Sequence, residues 1–500
     1  MKPLQAAVPL DPDICWPVLL ARDARFDGRI FVGISSTGVY CRPVCSARTP
    51  KKEHCSFFPS AAAAEAAGYR PCLKCRPELA PGLAPVDASP ALARRAAARM
   101  EDGLWQCSLE QLAAALGVTG RHLRRVFLAE YGVPPVQYLQ TRRLLLAKSL
   151  LTDTDLPVTQ AAFAAGFGSL RRFNALFQQR YRLSPSALRR QKEGPAVAQE
   201  RITLFLGYRP PYLWDELLAF LQKRAIPGVE EVCGGFYRRT AALLRDGERC
   251  CGLIEVRPEA KKNALAVTVS ASLLPVLAAV LARVRQLFDL DCDPQEIGRR
   301  LLPMNRLQDG LCRPGARLPG CFEPFETGVR AVLGQQITVR AATVLAGRVA
   351  AALGTPLPDL PAGPRFLFPS AADVAALGAA AEDRLCGLGI TRGRARSILA
   401  LAQALAEGRL DLSAGADPQR QLQVLLSLPG FGPWTAQYVA MRTLSWTDAF
   451  LYTDCGVKKA LPGRTPKQLL ALSGPWAPWR SYATVNLWNF LETKKGADAR

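Results

Sequence analysis

Two pairs of closely spaced cysteines constrain the first part of this chain more than any other feature. Three residues separate Cys41 from Cys45, two separate Cys72 from Cys75, and 26 residues lie between the pairs. Two short-spaced pairs allow four sulfurs to converge on one tetrahedral zinc ion. The spacing therefore predicts a zinc site at these four cysteines. A purely structural zinc site and a chance arrangement without metal are the alternatives.

The length and charge of the chain restrict its other parts. At 500 residues it is too long for one ordinary core, and about three or more domains are expected. The formal net charge of +22 favours a polyanion as partner, either nucleic acid or an acidic membrane surface. No long apolar run or signal-peptide core is present, so we expect a soluble intracellular protein whose 15 cysteines stay reduced.

A basic helical region follows the cysteine pairs. Residues 88–192 contain 16 Lys and Arg against 6 Asp and Glu. A capping-box pattern at Ser108 opens a helix, a turn follows at Gly117, and the same arrangement returns around a second turn at Gly166. The arginines on the second helix of each copy are Arg121, Arg124, Arg125, Arg171 and Arg172. An ordinary helical bundle with solvated arginines is the alternative to a DNA-binding region.

The next region changes to a strand pattern. Residues 201–206, 252–256 and 264–269 are predicted strands, and residues 275–290 are a predicted helix. Helical periodicity then returns from about residue 320 to 490.

A glycine-rich turn between two predicted helices lies near the C-terminus, from Leu428 to Tyr438. Its glycines allow backbone N–H groups to hold a DNA phosphate at a helix start. Asp454 follows Trp434 by 20 residues, directly before another predicted helix. Because no histidine lies beyond His122, proton chemistry here would need a carboxylate, Lys, Tyr or Cys. The alternatives are a simple helix cap for Asp454 and core packing for the tryptophans.

The cysteine cluster with its flanking residues, 39–45 and 69–75, resembles the zinc domain of Ada-type alkylation sensors. The resemblance implies that Cys41 accepts a methyl group from a methyl phosphotriester in DNA. Cys45, Cys72 and Cys75 would be the other zinc ligands. Four thiolates give such a site a formal charge of −2, and methylation removes one negative charge. Because the site then repels phosphate less, DNA binding can strengthen.

The duplicated helical pattern resembles the double helix-turn-helix of the AraC type. Such a module presents two recognition helices to successive major-groove faces, about 34 Å apart. The resemblance implies DNA contacts by the five arginines named above, to bases or to phosphates.

The hairpin followed by Asp454 resembles that of the helix-hairpin-helix DNA glycosylases. The sequence around the hairpin resembles the AlkA-type 3-methyladenine glycosylases. The resemblance implies that Asp454 is catalytic and that aromatic side chains hold the flipped base. It also implies phosphate contacts at the hairpin and a wedge that fills the gap in the duplex. The implied residues are Trp434, Tyr438 and Trp488 for the base, Gly430, Phe431 and Gly432 for the hairpin, and Gln336 for the wedge.

These resemblances imply cofactors and partners as well. We expect one zinc ion, a monovalent or divalent cation at the hairpin, and no iron-sulfur cluster. Trp434 and Thr435 stand where strand-cleaving relatives carry a lysine, so a monofunctional enzyme is expected. Without a Pro-Cys-His-Arg motif, no repair of O6-methylguanine is expected. The expected partners are double-stranded DNA, both alkylated and promoter DNA, and RNA polymerase, for a monomer without membrane contact in the bacterial cytoplasm.

The sequence therefore predicts a multidomain fold that is mainly α with α+β parts. Its predicted segments are a zinc domain at 1–85, an AraC-type helical domain at 86–193, an antiparallel sheet domain at 200–308 and an all-α helix-hairpin-helix glycosylase domain at 309–495. The predicted function is excision of alkylated bases, 3-methyladenine and 7-methylguanine, joined to a methyl phosphotriester sensor and transcription regulator. The alternative is a regulator whose glycosylase-like half binds DNA without catalysis.

Overall fold

The structure, a computed structural model, describes most of the chain. The described residues are 10–81, 91–101, 108–190, 200–357 and 363–498. Most of the predicted boundary after the zinc segment, and the break predicted at Glu193 to Pro195, lie outside the described residues.

The first group of elements is a small four-stranded sheet with two helices. The elements are α1 (Pro12–Leu20), β1 (Phe31–Ile34), β2 (Val39–Cys41), β3 (Cys55–Phe58), α2 (Ala61–Ala66) and β4 (Arg70–Pro71). The strand order is β3-β1-β2-β4, in which β4 runs parallel to β2. Tyr40 pairs with Pro71 in that register. Cys41 and Cys72, one residue further along each strand, therefore lie side by side.

The second group is entirely helical, as the sequence predicts. Its helices are α3 (Ala91–Glu101), α4 (Leu109–Ala115), α5 (Gly120–Tyr131), α6 (Pro135–Asp153), α7 (Val158–Ala164), α8 (Leu170–Tyr181) and α9 (Pro185–Arg190). The capping box at Ser108 is confirmed, with Gln111 as its partner. Thr119 and Ser169 cap α5 and α8 through their hydroxyl groups. Each of these two helices buries an apolar pair four residues apart and leaves its predicted DNA-binding arginines exposed.

The third group is a five-stranded antiparallel sheet with helices beside it. The elements are β5 (Arg201–Gly207), α10 (Trp214–Gln222), β6 (Glu230–Cys233), β7 (Phe236–Arg245), β8 (Glu248–Glu259), β9 (Ala264–Ser270), α11 (Leu277–Leu287) and α12 (Pro294–Leu301). The strand order is β5-β9-β8-β7-β6. The three predicted strands are confirmed as β5, β8 and β9, and the predicted helix as α11. β6 and β7 were not among the predicted strands.

The fourth group returns to helices. They are α13 (Pro324–Leu333), α14 (Val339–Leu353), α15 (Ala371–Ala376), α16 (Ala380–Gly387), α17 (Arg392–Ala406), α18 (Pro418–Ser427), α19 (Pro433–Thr443), α20 (Cys455–Ala460), α21 (Pro466–Leu472) and α22 (Arg480–Asp498), with a two-residue strand pair β10 (Thr355–Pro356) and β11 (Phe366–Leu367) after α14. The predicted hairpin is confirmed as α18, the glycine-rich turn and α19. Among all the helices described, none combines the length and apolarity required to cross a bilayer.

The hydrophobic cores cross the segment boundaries that the sequence suggests. One core joins the cysteine-bearing sheet to α3, α4 and α5. Another joins α7 and α8, the second helix pair, to the five-stranded sheet and α11. Because burial of apolar surface dominates folding free energy, the described residues between 10 and 190 pack against the later part of the chain through these shared cores.

Buried polar contacts strengthen this junction. Arg209, only 2% exposed, donates hydrogen bonds of 2.8 Å to the carbonyl oxygens of Asp27 and Asp291. On α3, Arg95 donates to the Gly415 carbonyl oxygen at 2.8 Å, and Arg99, one turn further along α3, forms an ion pair with Asp411. A buried guanidinium stabilises only when its donors are used, so these contacts fix one relative orientation.

We expect the junction to be sensitive to one added methyl group at Gly207. A Cβ built there would lie 1.9 Å from the carbonyl oxygen of Leu79, a backbone atom that cannot rotate away. Gly207→Ala should therefore lower the free energy of unfolding by about 1–3 kcal/mol, measured by urea denaturation. Gly387→Ala, at a glycine with no neighbour within 4 Å of the added Cβ, is the control. Equal stability of the two variants would contradict this account of the junction.

Candidate functional site

The four cysteines predicted as zinc ligands lie together. Their Sγ atoms are all within 4.8 Å of one another, and Cys75 is more exposed than Cys41, Cys45 and Cys72, which are buried. Tetrahedral zinc with Zn–S bonds of about 2.3 Å places its sulfurs about 3.8 Å apart, so a small inward shift suffices. Four thiolates are also the soft donor set that zinc accepts. These residues fit one structural or reactive zinc ion.

A charged residue lies directly beside the cysteine cluster. The backbone N–H of Arg42 donates to the Sγ of Cys75 at 3.4 Å, and its guanidinium donates to the Cys75 carbonyl oxygen at 3.3 Å. The same guanidinium donates to the Asp27 carboxylate at 2.8 Å. Arg42 therefore compensates negative charge on the sulfurs while Asp27 holds it in place.

The five predicted DNA-binding arginines all lie on the surface of α5 and α8. Arg121, Arg125, Arg171 and Arg172 are exposed. Arg124 is exposed too, but it forms a 2.6 Å ion pair with Glu110 of α4. The structure therefore presents the two basic helix faces that the repeat predicts.

A cavity of about 1120 Å³ opens among α10, α19, α20 and α22. It is large enough for a nucleotide, since ligand cavities usually measure about 300–1000 Å³. The predicted residues that line it are Asp454, Trp434, Tyr438, Trp488, Gly430, Gly432 and Gln336.

Asp454 connects three helices at this cavity. Its Oδ1 accepts the backbone N–H groups of Gly456 and Val457, at 2.8 and 3.1 Å, and so caps α20. Oδ1 also accepts the indole N–H of Trp488 at 2.9 Å, while Oδ2 accepts that of Trp434 at 3.1 Å. The capping alternative is therefore true, but it does not exclude a functional role. Oδ2, with one hydrogen bond, keeps acceptor capacity toward the cavity.

The aromatic side chains form two stacked pairs around the carboxylate. Trp434 stacks on Tyr438 with 5.2 Å between ring centroids and 9° between planes. Trp488 stacks on Phe220 at 6.0 Å and 19°. All four rings line the cavity, so they are not merely core packing. Flat aromatic faces around an opening suit a planar, electron-poor guest.

The hairpin presents its backbone rather than its aromatic side chain. Gly430 adopts a left-handed φ of +76°, and a Cβ there would lie 2.1 Å from the Ser397 hydroxyl oxygen. Both Gly430 and Gly432 are exposed, whereas Phe431 is 4% exposed and packs into the core. Any contact with DNA at Phe431 is therefore made by its backbone.

Gln336 lies exposed at the cavity with a left-handed φ of +56°. The preceding residue, Gln335, donates from Nε2 to the Gly430 carbonyl oxygen at 2.9 Å and to the Thr435 hydroxyl at 3.0 Å. Gln335 thus ties the loop that carries Gln336 to the hairpin. Sequence reasoning missed it.

Sequence reasoning also missed Phe220, Arg224 and Arg442, which line the cavity. Arg442 lies four residues after Tyr438 on α19, so helical spacing could have pointed to it. Phe220 and Arg224 come from α10 and the residues just after it, more than 200 residues earlier in the chain. Nothing in the sequence connects them to the hairpin.

The electrostatics of Tyr438 are unusual for a phenol. Burial alone would raise the pKa of Tyr438, but the positive charges of Arg442, Arg224 and Arg330 outweigh burial and lower this pKa. The cavity therefore has a carboxylate at one side and a positively charged environment at the other.

Comparison with known families finds three matching models. The AlkA N-terminal domain matches residues 203–323, the metal-binding domain of Ada matches residues 14–78, and a helix-turn-helix domain matches residues 112–191. The match to the metal-binding domain of Ada covers the whole cysteine cluster. This match supports one zinc ion held by Cys41, Cys45, Cys72 and Cys75.

Curated relatives extend these matches. DNA-3-methyladenine glycosylase 2 of Escherichia coli is 40% identical over 57% of this chain and 95% of its own length. The E. coli bifunctional transcriptional activator/DNA repair enzyme Ada is 34% identical over 33% of this chain and 45% of its own length. A Mycobacterium tuberculosis protein named probable bifunctional transcriptional activator/DNA repair enzyme AlkA is 37% identical over 96% of this chain and 97% of its own. Because that similarity spans nearly both chains, this chain belongs to the family of AlkA-type bifunctional transcriptional activator/DNA repair proteins.

Proposed function

We propose that this chain is a DNA alkylation repair and response protein whose C-terminal half excises alkylated bases. The observation that carries the proposal is the Asp454 carboxylate, held by two indole N–H groups at a cavity large enough for a nucleotide. The names of the full-length and C-terminal relatives agree with this function.

The target base must leave the DNA stack before it can enter the cavity. Trp434, Tyr438 and Trp488 offer faces on which a flipped purine can stack. A methylated purine such as 3-methyladenine or 7-methylguanine is electron-poor, so contact with aromatic faces is favourable. Gln336, exposed on its left-handed turn, would fill the gap that the base leaves in the duplex.

Cleavage breaks the N-glycosidic bond, and the bonding electron pair leaves with the base. The sugar becomes cationic, and Asp454 stabilises it, as carboxylates do in glycoside cleavage. Oδ2 is the oxygen free to face the sugar or to accept a hydrogen bond from the attacking water. Water oxygen then bonds to the sugar carbon, and the proton that this water loses passes to solvent. No residue forms a covalent intermediate in this scheme, which makes the enzyme monofunctional.

The hairpin would hold the DNA backbone next to the lesion. The exposed backbone at Gly430 and Gly432, directly before α19, can donate N–H groups to a phosphate, either directly or with a bound cation. We propose Phe431 contributes only through its backbone.

The N-terminal cluster would act as the sensor. Cys41 Sγ attacks the methyl carbon of a methyl phosphotriester, the carbon–oxygen bond breaks, and the phosphate diester oxygen leaves with the electron pair. Bound zinc keeps the sulfur in its thiolate form. Methylation removes one negative charge from the cluster, so that repulsion of DNA phosphates decreases.

The basic faces of α5 and α8 would then hold promoter DNA. Arg121, Arg125, Arg171 and Arg172 are the proposed contacts, with Arg124 available once it leaves Glu110. We further propose that the monomer works in the bacterial cytoplasm on the nucleoid, contacts RNA polymerase as an activator, and divides functionally at 1–85, 86–193, 200–308 and 309–495.

Replacing the carboxylate tests the enzyme. Asp454→Asn should lower the rate of free-base release from methylated DNA by about 100-fold or more, because the neutral amide cannot stabilise a cationic sugar. Release is measured by chromatography under single-turnover conditions with the full-length protein. Asp383→Asn, at an exposed carboxylate outside the cavity, is the matched control and should keep full activity.

Two results would contradict the proposal. Equal release by wild type and Asp454→Asn would remove Asp454 from its role. No release by either protein would favour the alternative, a regulator whose C-terminal half binds DNA without catalysis.

The methyl acceptor is tested by peptide mapping. After incubation with DNA that carries methyl phosphotriesters, mass spectrometry should find one added methyl group on the peptide that contains Cys41, and none in Cys41→Ser. Cys233→Ser, an exposed cysteine outside the cluster, is the control and should retain transfer and zinc. A methyl group on Cys45, Cys72 or Cys75 instead would reassign the acceptor.

A further inference from the structure

Three arginines from separate parts of the fold lie close together where the second helix pair, α7 and α8, meets the five-stranded sheet. Arg143 belongs to α6, Arg172 to the first turn of α8, and Arg245 to the end of β7. Burial lowers the pKa of Arg143, and the positive charges of Arg172 and Arg245 lower it further. Both of these charges therefore lie within electrostatic reach of Arg143.

The packing of the second helix pair on the sheet brings Arg245 to this place. Leu243 of β7 and Phe173 of α8 belong to the same hydrophobic core. Arg245 follows Leu243 by two residues on the strand, so it lies on the same face of the sheet. Its guanidinium donates to the carbonyl oxygen of Pro275, in a short 3-10 turn that contacts α7. Arg245 is therefore held next to the second helix pair.

Arg143 is held against the turn between α7 and α8. Gly166 in that turn has a left-handed φ of +86°, and a Cβ built there would lie 3.2 Å from Nε of Arg143 and 3.7 Å from its Cδ. The half-buried Arg143 side chain therefore packs along the turn that precedes α8. A long basic side chain can bury its stem in this way while its charged head stays in water.

The positive charge of these three arginines is only weakly compensated. Among the residues that the structure describes, no ion pair involves Arg143 or Arg172. Nε of Arg245 lies 3.5 Å from a carboxylate oxygen of Asp246, whose side chain is 67% exposed. An exposed pair contributes little, whereas like charges held close together cost free energy. A bound anion would remove that cost.

Two observations favour DNA as this anion. Arg172 is exposed beside Arg171 on the basic face of α8, and the helix-turn-helix family match covers α8. The cations also come from three different elements, which suits a row of charges better than one small anion. Duplex DNA offers such a row, with one phosphate charge for about every 1.7 Å of its axis. A helix-turn-helix module places the start of its recognition helix in the major groove, so the phosphates that border the groove come near that end.

We propose that Arg143, Arg172 and Arg245 form one phosphate-binding site that crosses the junction, so that DNA held by α8 also contacts the five-stranded sheet of the repair half. This inference rests on the proposed function of α8. It makes Arg245, which lies outside the helix-turn-helix match, part of the promoter-binding surface. Because α8 and β7 share a core, the contact is already in position, and binding does not have to order the chain first.

Removal of the Arg245 charge tests the inference. The probe is a fluorescein-labelled duplex without a lesion, and its binding to the full-length protein is measured by fluorescence anisotropy at several KCl concentrations. Arg245→Gln should weaken binding about three- to tenfold near physiological salt. The slope of log Kd against the logarithm of the salt concentration should fall by about 1, because one phosphate contact is lost. Arg245→Lys keeps the positive charge and should restore most of both values.

Arg257→Gln is the matched control, because it removes the same charge from the same sheet. Arg257 is exposed on β8, nine positions along the strand from Glu248, which pairs with Arg245. At about 3.3 Å per residue, this places Arg257 roughly 30 Å away. Arg257→Gln should change Kd by less than about twofold. Arg171→Gln, on the exposed face of α8, should weaken binding and so shows that α8 holds the probe.

Three results would overturn the inference. In the first, Arg171→Gln weakens binding but Arg245→Gln behaves like Arg257→Gln, so that α8 holds DNA without the sheet. In the second, Arg245→Gln and Arg245→Lys lose binding equally, which would assign the loss to the hydrogen bond with Pro275 rather than to charge. In the third, every variant binds like wild type, which would also count against the proposed DNA-binding role of α8.

Discussion

The carboxylate of Asp454 is the interaction on which the candidate site depends. A single side chain caps α20, accepts the indole N–H of Trp434 on α19 and accepts the indole N–H of Trp488 on α22. One negatively charged side chain thereby positions three helices and two walls of the cavity. A buried or half-buried carboxylate is costly unless its lone pairs are satisfied, and here N–H donors satisfy it, with no ion pair to Asp454 among the residues that the structure describes. Its charge is consequently available to a cationic sugar.

The sequence predicts the parts of this site that are local in the chain. Gly430, Trp434 and Asp454 belong to one hairpin and the start of the next helix, so their spacing is visible in the sequence. The four cysteines likewise form two short-spaced pairs. Periodicity also located β5, β8, β9 and the paired helices. The two strands that were missed, β6 and β7, belong to the same antiparallel sheet. The residues of β7 do not alternate cleanly, because this strand is buried on both faces over Thr240 to Ala241.

Residues brought together by tertiary packing could not be found in this way. Phe220 and Arg224 reach the cavity only because the antiparallel sheet region docks against the C-terminal helices. The sequence likewise separated the chain into successive segments, whereas the cores join the cysteine sheet to α5 and the second helix pair to the five-stranded sheet. The local sequence pattern predicts which face of a helix or strand is apolar, but it does not predict which surface covers that face.

The docking of the two halves leaves both working surfaces accessible. The contacts that join them involve Gly207, Arg209, Arg95 and Arg99, none of which lines the large cavity. The five predicted DNA-binding arginines of α5 and α8 likewise remain exposed. Arg42, next to the cysteine cluster, pairs with Asp27, whose carbonyl oxygen accepts from Arg209 in the sheet region. Arg42 therefore contacts both the cysteine cluster and a residue of the junction. The fused arrangement consequently has a physical connection between sensor and repair halves, because the residue that compensates the thiolates shares Asp27 with the buried arginine that holds the halves together.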